Sequence, residues 1–252
     1  MNKSKVVKLK KVLPSVILLV VTLFLIGISF LPTVRGVAAA ASARAGAIDP
    51  EALRALNYCK AYAAANDFST TLDGSIKAKV FGIPHTQNVS GRRTVSGEKF
   101  SEVVESVSTF VNAGFKKQYD GGEFSVSAGD YKKKAFVYGS PKKLSRDRYV
   151  LAYGKPYIGI VKYELDGSII SAEKLDDNTF RFVLDVQSAT RYCRNEVRTI
   201  LGGKSYPEYD SVEFTMISDG ERVIKITSCE KFKVDKMGGT NCVANYTEIF
   251  NY

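Results

Sequence analysis

The chain has 252 residues, of which 45% are apolar and 25% are charged, and its formal net charge at pH 7 is +10. This composition is typical of a globular protein and excludes a disordered or collagen-like chain. Seven basic residues precede the first acid, Asp49, and without them the net charge of the remaining chain is +3. Because the basic character comes mainly from the N-terminus, we predict no nucleic-acid partner.

The N-terminal segment is predicted to direct the chain out of the cytoplasm. Five lysines within residues 1–11 precede an uncharged apolar run over residues 12–31, which is the order found in secretory signal peptides. Small residues follow, with candidate cleavage sites after Ala43 and Ala45. About 20 apolar residues can also span a bilayer, so residues 1–45 are either a cleaved signal peptide or an N-terminal membrane anchor.

In both cases residues 46–252 are expected to form a single exported domain. The lysines before the apolar run stay in the cytoplasm by the positive-inside rule. The domain is therefore either secreted or anchored on the extracytoplasmic face of the membrane. The membrane is a partner through the N-terminal segment if that segment is uncleaved.

Three helices are predicted in this domain. The first is capped by Asp49 and continues to about Asn66. A short second helix is capped by Ser145 and ended by Gly154. The third, over residues 188–203, has an apolar stripe along one side and arginines on the other, which is typical of a helix packed on a core.

Strands are predicted through most of the remaining sequence, because β-branched and aromatic residues alternate with turn residues. Two long strands flank Asp219 and Gly220, and a last strand covers residues 240–252. In that strand Glu248 interrupts an otherwise apolar side. The residues expected to point inward from these three strands are Val212, Phe214, Met216, Ile224, Ile226, Phe232, Val234, Cys242, Ala244, Tyr246, Phe250 and Tyr252.

These elements predict an α+β fold. Short turns between successive strands imply antiparallel pairing. A sheet with one apolar face needs a cover, which only the helices can supply. We therefore expect a large curved antiparallel β-sheet, an unclosed half-barrel, with helices on its concave face.

The last 75 or so residues resemble LolA-type lipoprotein carriers and their mycobacterial LppX-like relatives, including exported members from Firmicutes. The resemblance lies in RFVLDVQSATRYCRNEVRTILGG, YDSVEFTMISDGERVIKI and TNCVANYTEIFNY. These segments give a strand, an amphipathic helix, a hairpin and a final aromatic strand. The resemblance implies a hydrophobic space between sheet and helices that takes acyl chains, and hence a lipid or lipoprotein partner. No cysteine precedes Cys59, so the lipid-modified N-terminus of LppX-like proteins is absent.

No catalytic motif stands out, and we predict a non-enzymatic protein without cofactor or metal. His85 is the only histidine, and no G-x-S-x-G motif accompanies it. The four cysteines lack the spacing of a zinc site and are predicted to be free and buried. A Cys59–Cys193 or Cys193–Cys242 disulfide is the alternative. Cys229 and Cys242 should lie on opposite faces of the last hairpin and should not bond.

The predicted function is binding of a lipid or another hydrophobic ligand between sheet and helices. Glu248 is the candidate polar contact at the pocket mouth, and ion pairing with a nearby Lys or Arg is its alternative role. The competing function is a cell-envelope interaction or structural module with a filled core. An open cavity of roughly a few hundred Å³ would favour the first, and a close-packed interior the second. The candidate pocket-lining residues are Tyr192, Phe214, Met216, Ile226, Tyr246 and Phe250.

Three short basic runs stand outside these patterns. They are Arg92-Arg93 and the lysine runs at residues 116–117 and 132–134. A solvated surface is the expected location, and contact with anionic lipid head groups is the functional alternative.

Overall fold

The computed structural model of the chain describes residues 47–80, 82–108, 112–153, 160, 167–196, 198, 206–234 and 240–252. The predicted leader and the end of the third predicted helix lie outside these residues. Three helices are described: α1 (Pro50–Ala65), α2 (Arg146–Tyr153) and α3 (Val186–Glu196). Within the described ranges no helix is both long and apolar enough to cross a membrane.

In the part of the chain that the structure describes, twelve strands form one sheet. They are β1 (Phe68–Val80), β2 (Ile83–Ser96), β3 (Lys99–Val107), β4 (Ala113–Tyr119), β5 (Glu123–Lys132), β6 (Ala135–Tyr138), β7 (Lys142–Ser145), β8 (Ile169–Lys174), β9 (Thr179–Leu184), β10 (Pro207–Ser218), β11 (Val223–Val234) and β12 (Thr240–Asn251).

The sheet is antiparallel and open. Its strand order is β6-β5-β4-β3-β2-β1-β12-β11-β10-β9-β8, and β7 pairs with the part of β5 that β6 does not reach. The sequence-distant strands β1 and β12 pair in the middle of the sheet, with Leu72 opposite Glu248. This confirms the predicted α+β half-barrel.

One face of the sheet carries the core. From Ile226 onward in β11, and throughout β12, the even-numbered residues point inward, so Phe232 lies opposite Cys242 on the buried face. Cys229 lies opposite Asn245 on the other face, as the parity of the hairpin predicts. None of the four cysteines, all of which the structure describes, forms a disulfide bond.

Two inward predictions are wrong. Tyr252, just beyond the end of β12, is 37% exposed, and the other error lies on β11. Ile224 is 36% exposed, and Val223 is fully buried in its place. The cause is a register shift between β10 and β11, in which Ile217 pairs with Lys225 but Ser218 pairs with Val223. A bulge of this kind moves the side chains on its far side, here those before Lys225, to the opposite face.

Helix α1 covers the ends of the strands. Its buried residues, Ala52, Leu56, Cys59 and Ala63, recur at helical spacing, and the Cys59 thiol donates to the Ser218 hydroxyl at 3.4 Å. The chain just before α1 covers the free edge of β8. There the Asp49 N–H donates to the Ala172 carbonyl at 2.9 Å. Such cover removes an exposed strand edge that could pair with another molecule.

The other two helices pack on the buried side of the sheet. Helix α3 begins at Val186, earlier than the predicted Ser188, because Asp185 provides the cap and accepts the Ser188 N–H at 2.8 Å. In α2 the Tyr149 ring is fully buried and stacks on Tyr119 with ring centroids 4.8 Å apart. The buried apolar side chains form one core cluster that runs from Ala52 to Phe250.

Candidate functional site

A cavity of about 90 Å³ lies on the concave side of the sheet. Pockets that enclose drug-sized ligands hold roughly 300–1,000 Å³, so this cavity is smaller than the open pocket expected of a carrier. Its lining divides by chemistry into two walls. We call Thr70, Arg93, Glu102 and Glu248 the charged wall, and Ile160, Leu184, Val212, Phe214 and Ile226 the apolar wall.

The apolar wall comes mainly from β9, β10 and β11. Phe214 and Phe182 stack with ring centroids 4.9 Å apart, which fixes the plane of the Phe214 ring. Val212 and Leu184 pair across β10 and β9 and are both buried. Ile160 adds a buried side chain from outside the sheet. A ligand group on this side would meet mainly hydrocarbon, with one carboxylate beside it. Glu230 of β11 is buried, lies opposite Val212 and also lines the cavity.

The charged wall comes from β1, β2, β3 and β12. Glu248 Oε1 accepts a hydrogen bond from the Thr70 hydroxyl at 2.6 Å and one from Arg93 Nη2 at 2.7 Å. The Arg93 side chain is only 5% exposed and that of Glu248 is 20% exposed. The Arg93 guanidinium also lies 5.7 Å from the centroid of the Phe68 ring, within the distance of a cation–π contact.

A second ion pair continues this wall on the neighbouring strands. Lys117 Nζ on β4 lies 3.3 Å from Glu102 Oε2 on β3, and both side chains are largely buried. Burial raises the pKa of the Tyr246 hydroxyl well above its ordinary value, and the nearby charge of Glu230 adds to the shift. The Tyr246 hydroxyl therefore stays protonated at neutral pH beside the cavity.

Glu248 has a charged partner on the inner face of the sheet. Ion pairing was the expected alternative role, and Glu248 is paired with Arg93. Glu248 also lines the cavity, so the ion pair forms part of the cavity lining. The pair forms because β12 and β2 are both neighbours of β1, which places their inward side chains two strands apart.

Sequence reasoning missed Arg93 and Lys117, which it placed on a solvated surface. Both are buried on the inner face of the sheet. The signal was available in β2, where Val89, Arg93 and Val95 share one face by simple alternation. The neighbouring Arg92 has the exposed position that was expected of both arginines.

The candidate pocket residues divide into two groups. Phe214, Ile226 and Tyr246 line the cavity together with Glu248. The others are buried in the core but do not line this cavity. They are Tyr192, Met216 and Phe250.

His85 lies apart from this site, at the beginning of β2 opposite Ala78. Partial burial lowers the pKa of its imidazole, so the ring is largely neutral at pH 7. Among the described residues, no three His, Cys, Asp or Glu side chains are grouped closely enough to hold a metal ion.

No family model and no curated protein sequence matches this chain. Among solved structures it is similar to a DUF1329 family protein from Desulfovibrio piger, with 7% identity over 77% of this chain and 90% of that chain and a TM-score of 0.30. It is also similar to a domain named for outer membrane lipoprotein sorting from Vibrio parahaemolyticus, with 9% identity over 78% and 90% of the two chains and a TM-score of 0.32.

A third similar structure is a LolA superfamily protein from Nitrosomonas europaea. The identity is 10% over 79% of this chain and 93% of that chain, and the TM-score is 0.28. One of the three similar structures is thus described by the family name that the sequence resembles. Identities of this size carry no information about ligand or activity.

Proposed function

We propose that the protein is an exported, non-enzymatic binding protein that holds a small amphiphile between sheet and helices. The observation that carries this proposal is the two-sided lining of the cavity. The apolar wall accepts a hydrocarbon group, and the charged wall accepts the polar group to which it is attached. Ligand sites generally combine an apolar lining with a few placed polar groups in this way. Export rests on the charge and hydropathy of the N-terminal segment.

The volume of the cavity limits the ligand. A space of about 90 Å³ accommodates a short hydrocarbon group and not a whole diacyl lipid. A longer acyl chain would bind only if the cover over the sheet moved outward. The proposal therefore favours short or single-chain amphiphiles.

The second candidate function is an interaction or structural module of the cell envelope that binds no ligand. The small volume favours it, because it leaves most of the interior packed. Under this alternative the charged wall serves only to hold β1, β2 and β12 together.

Native mass spectrometry of residues 46–252 separates the two functions. This fragment contains every described contact of the core. We expect either a co-purified mass that is lost on organic extraction, or uptake of added octanoate in preference to palmitate. A bare mass, with no uptake of butyrate, octanoate or palmitate, would sink the ligand-binding proposal and leave the interaction module.

A cavity-filling variant tests whether the ligand binds in this cavity. Val212→Phe places a ring in the cavity from the apolar wall and should abolish uptake of octanoate. The matched control is Val95→Phe, at a residue that is equally buried but does not line the cavity. Overpacking of either site costs about 1–3 kcal/mol of stability. Equal loss of uptake in both variants would contradict the proposed site.

A further inference from the structure

The two ends of the sheet differ in charge. The loops that join β2 to β3, β4 to β5, β8 to β9 and β10 to β11 all lie at one end, because the strands are antiparallel. Each of these four loops carries at least one acid, and we call this end the acidic end. The acids are Glu98, Asp120, Asp176, Asp177, Asp219 and Glu221.

The opposite end, which we call the lysine end, is basic. It includes the ends of β1, β5 and β11 and the beginnings of β2, β6, β10 and β12. The described residues on these segments and Asp185, which follows β9 at the same end, carry seven lysines and four acids, for a net charge of +3. The other acids are Asp130, Glu208 and Asp210. The lysines are Lys77, Lys79, Lys132, Lys133, Lys134, Lys231 and Lys233.

The strand register brings two of these lysines to one level of the sheet. Lys77 and Lys231 both pair with Val243, so they lie two strands apart on the convex face, at a distance of about 10 Å. Lys133 lies in the hairpin turn that connects β5 and β6. Of the basic runs noted in the sequence, the one at residues 132–134 belongs to this end.

Among the residues that the structure describes, few of these charges are neutralised by an ion pair. Lys132 pairs with Asp130 at 3.2 Å and Lys233 pairs with Asp210 at 2.9 Å. Both pairs are largely exposed, and exposed pairs contribute little binding energy. The lysines are therefore available to a polyanionic surface.

Exposed apolar side chains lie among the lysines. Ile83 is 54% exposed at the beginning of β2, and Val137 is 56% exposed on β6. Val107 and Tyr131 are also exposed at this end. Apolar side chains interspersed with lysines fit the interface of an anionic bilayer, where the hydrocarbon enters the head-group region. A soluble polyanion has no hydrocarbon region in which these apolar side chains could be buried.

We propose that the lysine end docks the protein on an anionic lipid surface. The length of the N-terminal segment is compatible with this orientation in an anchored protein. Ala47 is held beside β8 near the acidic end, 16 residues after the last residue of the apolar run, Leu31. Sixteen residues reach at most about 55 Å, whereas the 13 residues of β1 span about 43 Å.

Vesicle co-sedimentation of residues 46–252 tests the proposal. Vesicles of phosphatidylcholine mixed with phosphatidylglycerol should bind the protein at low salt, and vesicles of phosphatidylcholine alone should not. The triple variant Lys77→Gln/Lys79→Gln/Lys231→Gln should bind about a hundredfold more weakly, because each lysine near an anionic surface contributes roughly a factor of five. High salt should release the wild type, since screening shortens the range of the attraction.

The control variant loses the same net charge as the first variant, but at lysines away from the lysine end. Lys60→Gln/Lys99→Gln/Lys225→Gln removes the same three charges from α1, β3 and the other end of β11. It should bind vesicles nearly as well as the wild type. Equal weakening of both variants, or tighter binding of soluble polyglutamate than of the vesicles, would overturn the proposal. Octanoate uptake by the first variant should be unchanged, because none of its residues lines the cavity.

Discussion

At the scale of single residues, the charged wall depends on partners held by different strands. A carboxylate on the inner face of a sheet is costly unless it is paired and hydrogen-bonded. Glu248 meets this requirement through Thr70 and Arg93, which β1 and β2 place beside it. The arrangement can therefore serve the fold, a ligand, or both.

A double-mutant cycle separates these roles. Arg93→Met and Glu248→Met should each cost about 3 kcal/mol of unfolding free energy, because each leaves a partly buried charge without its partner. The double variant should cost clearly less than the sum of the two. Urea unfolding gives the free energy of unfolding of the wild type, the two single variants and the double variant. If the double variant is stable but fails to take up octanoate, the pair acts on the ligand.

The control for this cycle is a pair on the convex face. Arg181 Nη2 lies 2.6 Å from Glu213 Oε2, and both side chains are more than one third exposed. Removing either partner should cost less than about 1 kcal/mol. A similar cost at both pairs would show that burial does not set the strength of the Arg93–Glu248 pair.

At the scale of elements, the short edge strand β6 is held by rings that lie over glycines. Phe136 packs over Gly114 of β4, and a Cβ atom added at Gly114 would approach the Phe136 ring to 2.8 Å. Tyr138 packs over Gly129 of β5 in the same way, and its hydroxyl donates to Glu105 Oε1 at 2.7 Å. These contacts cross three strands and hold β6 although it has only four residues.

Gly114→Ala should loosen this edge. The added methyl group displaces the Phe136 ring, and we expect a loss of about 1–3 kcal/mol of stability, as for overpacking elsewhere. Faster amide exchange in β5 and β6 would locate the effect. Gly139→Ala is the control, since its added Cβ atom would lie 3.7 Å from the nearest backbone oxygen. A normal exchange rate in Gly114→Ala would contradict the role of these ring contacts.

At the scale of the whole molecule, stability should have a plateau near neutral pH. Backbone N–H groups, first those of Glu123 and Arg222, lower the pKa of Asp120 and Asp219 at the acidic end. A carboxyl whose pKa is lowered on folding stabilises the fold above its unfolded pKa of about 3.9. This contribution is lost as the pH falls through the lower, folded value, so stability should drop below about pH 4.

At alkaline pH, stability is limited by groups whose pKa is raised, not lowered, on folding. Burial raises the pKa of Cys242 and of Tyr252 to about 12 in each case. An acid whose pKa is raised on folding stabilises the fold at pH values below its unfolded pKa, which is about 8.5 for Cys and 10 for Tyr. Urea unfolding from pH 3 to 11 should therefore show losses below about pH 4 and above about pH 9. Tyr252→Phe should reduce the alkaline slope, and an unchanged slope would contradict this assignment.

The amino-acid sequence by itself determined the local elements. Helix α1 follows from its Asp49 cap and its apolar spacing, and the inner faces of β11 and β12 follow from alternation along each strand. These features depend on neighbours a few residues away, so a single sequence displays them. The half-barrel class also follows, because an antiparallel sheet with one apolar face requires a cover.

Only the tertiary structure decided which side chains share the site. The charged wall joins Thr70 and Arg93 to Glu248, residues separated by more than 150 positions. The bulge that exposes Ile224 depends likewise on pairing between strands. Contacts of this kind are set by strand order and register, and alternation shows only which face a residue occupies. The same limit applies to the lysine end, where antiparallel order gathers lysines from separate strands.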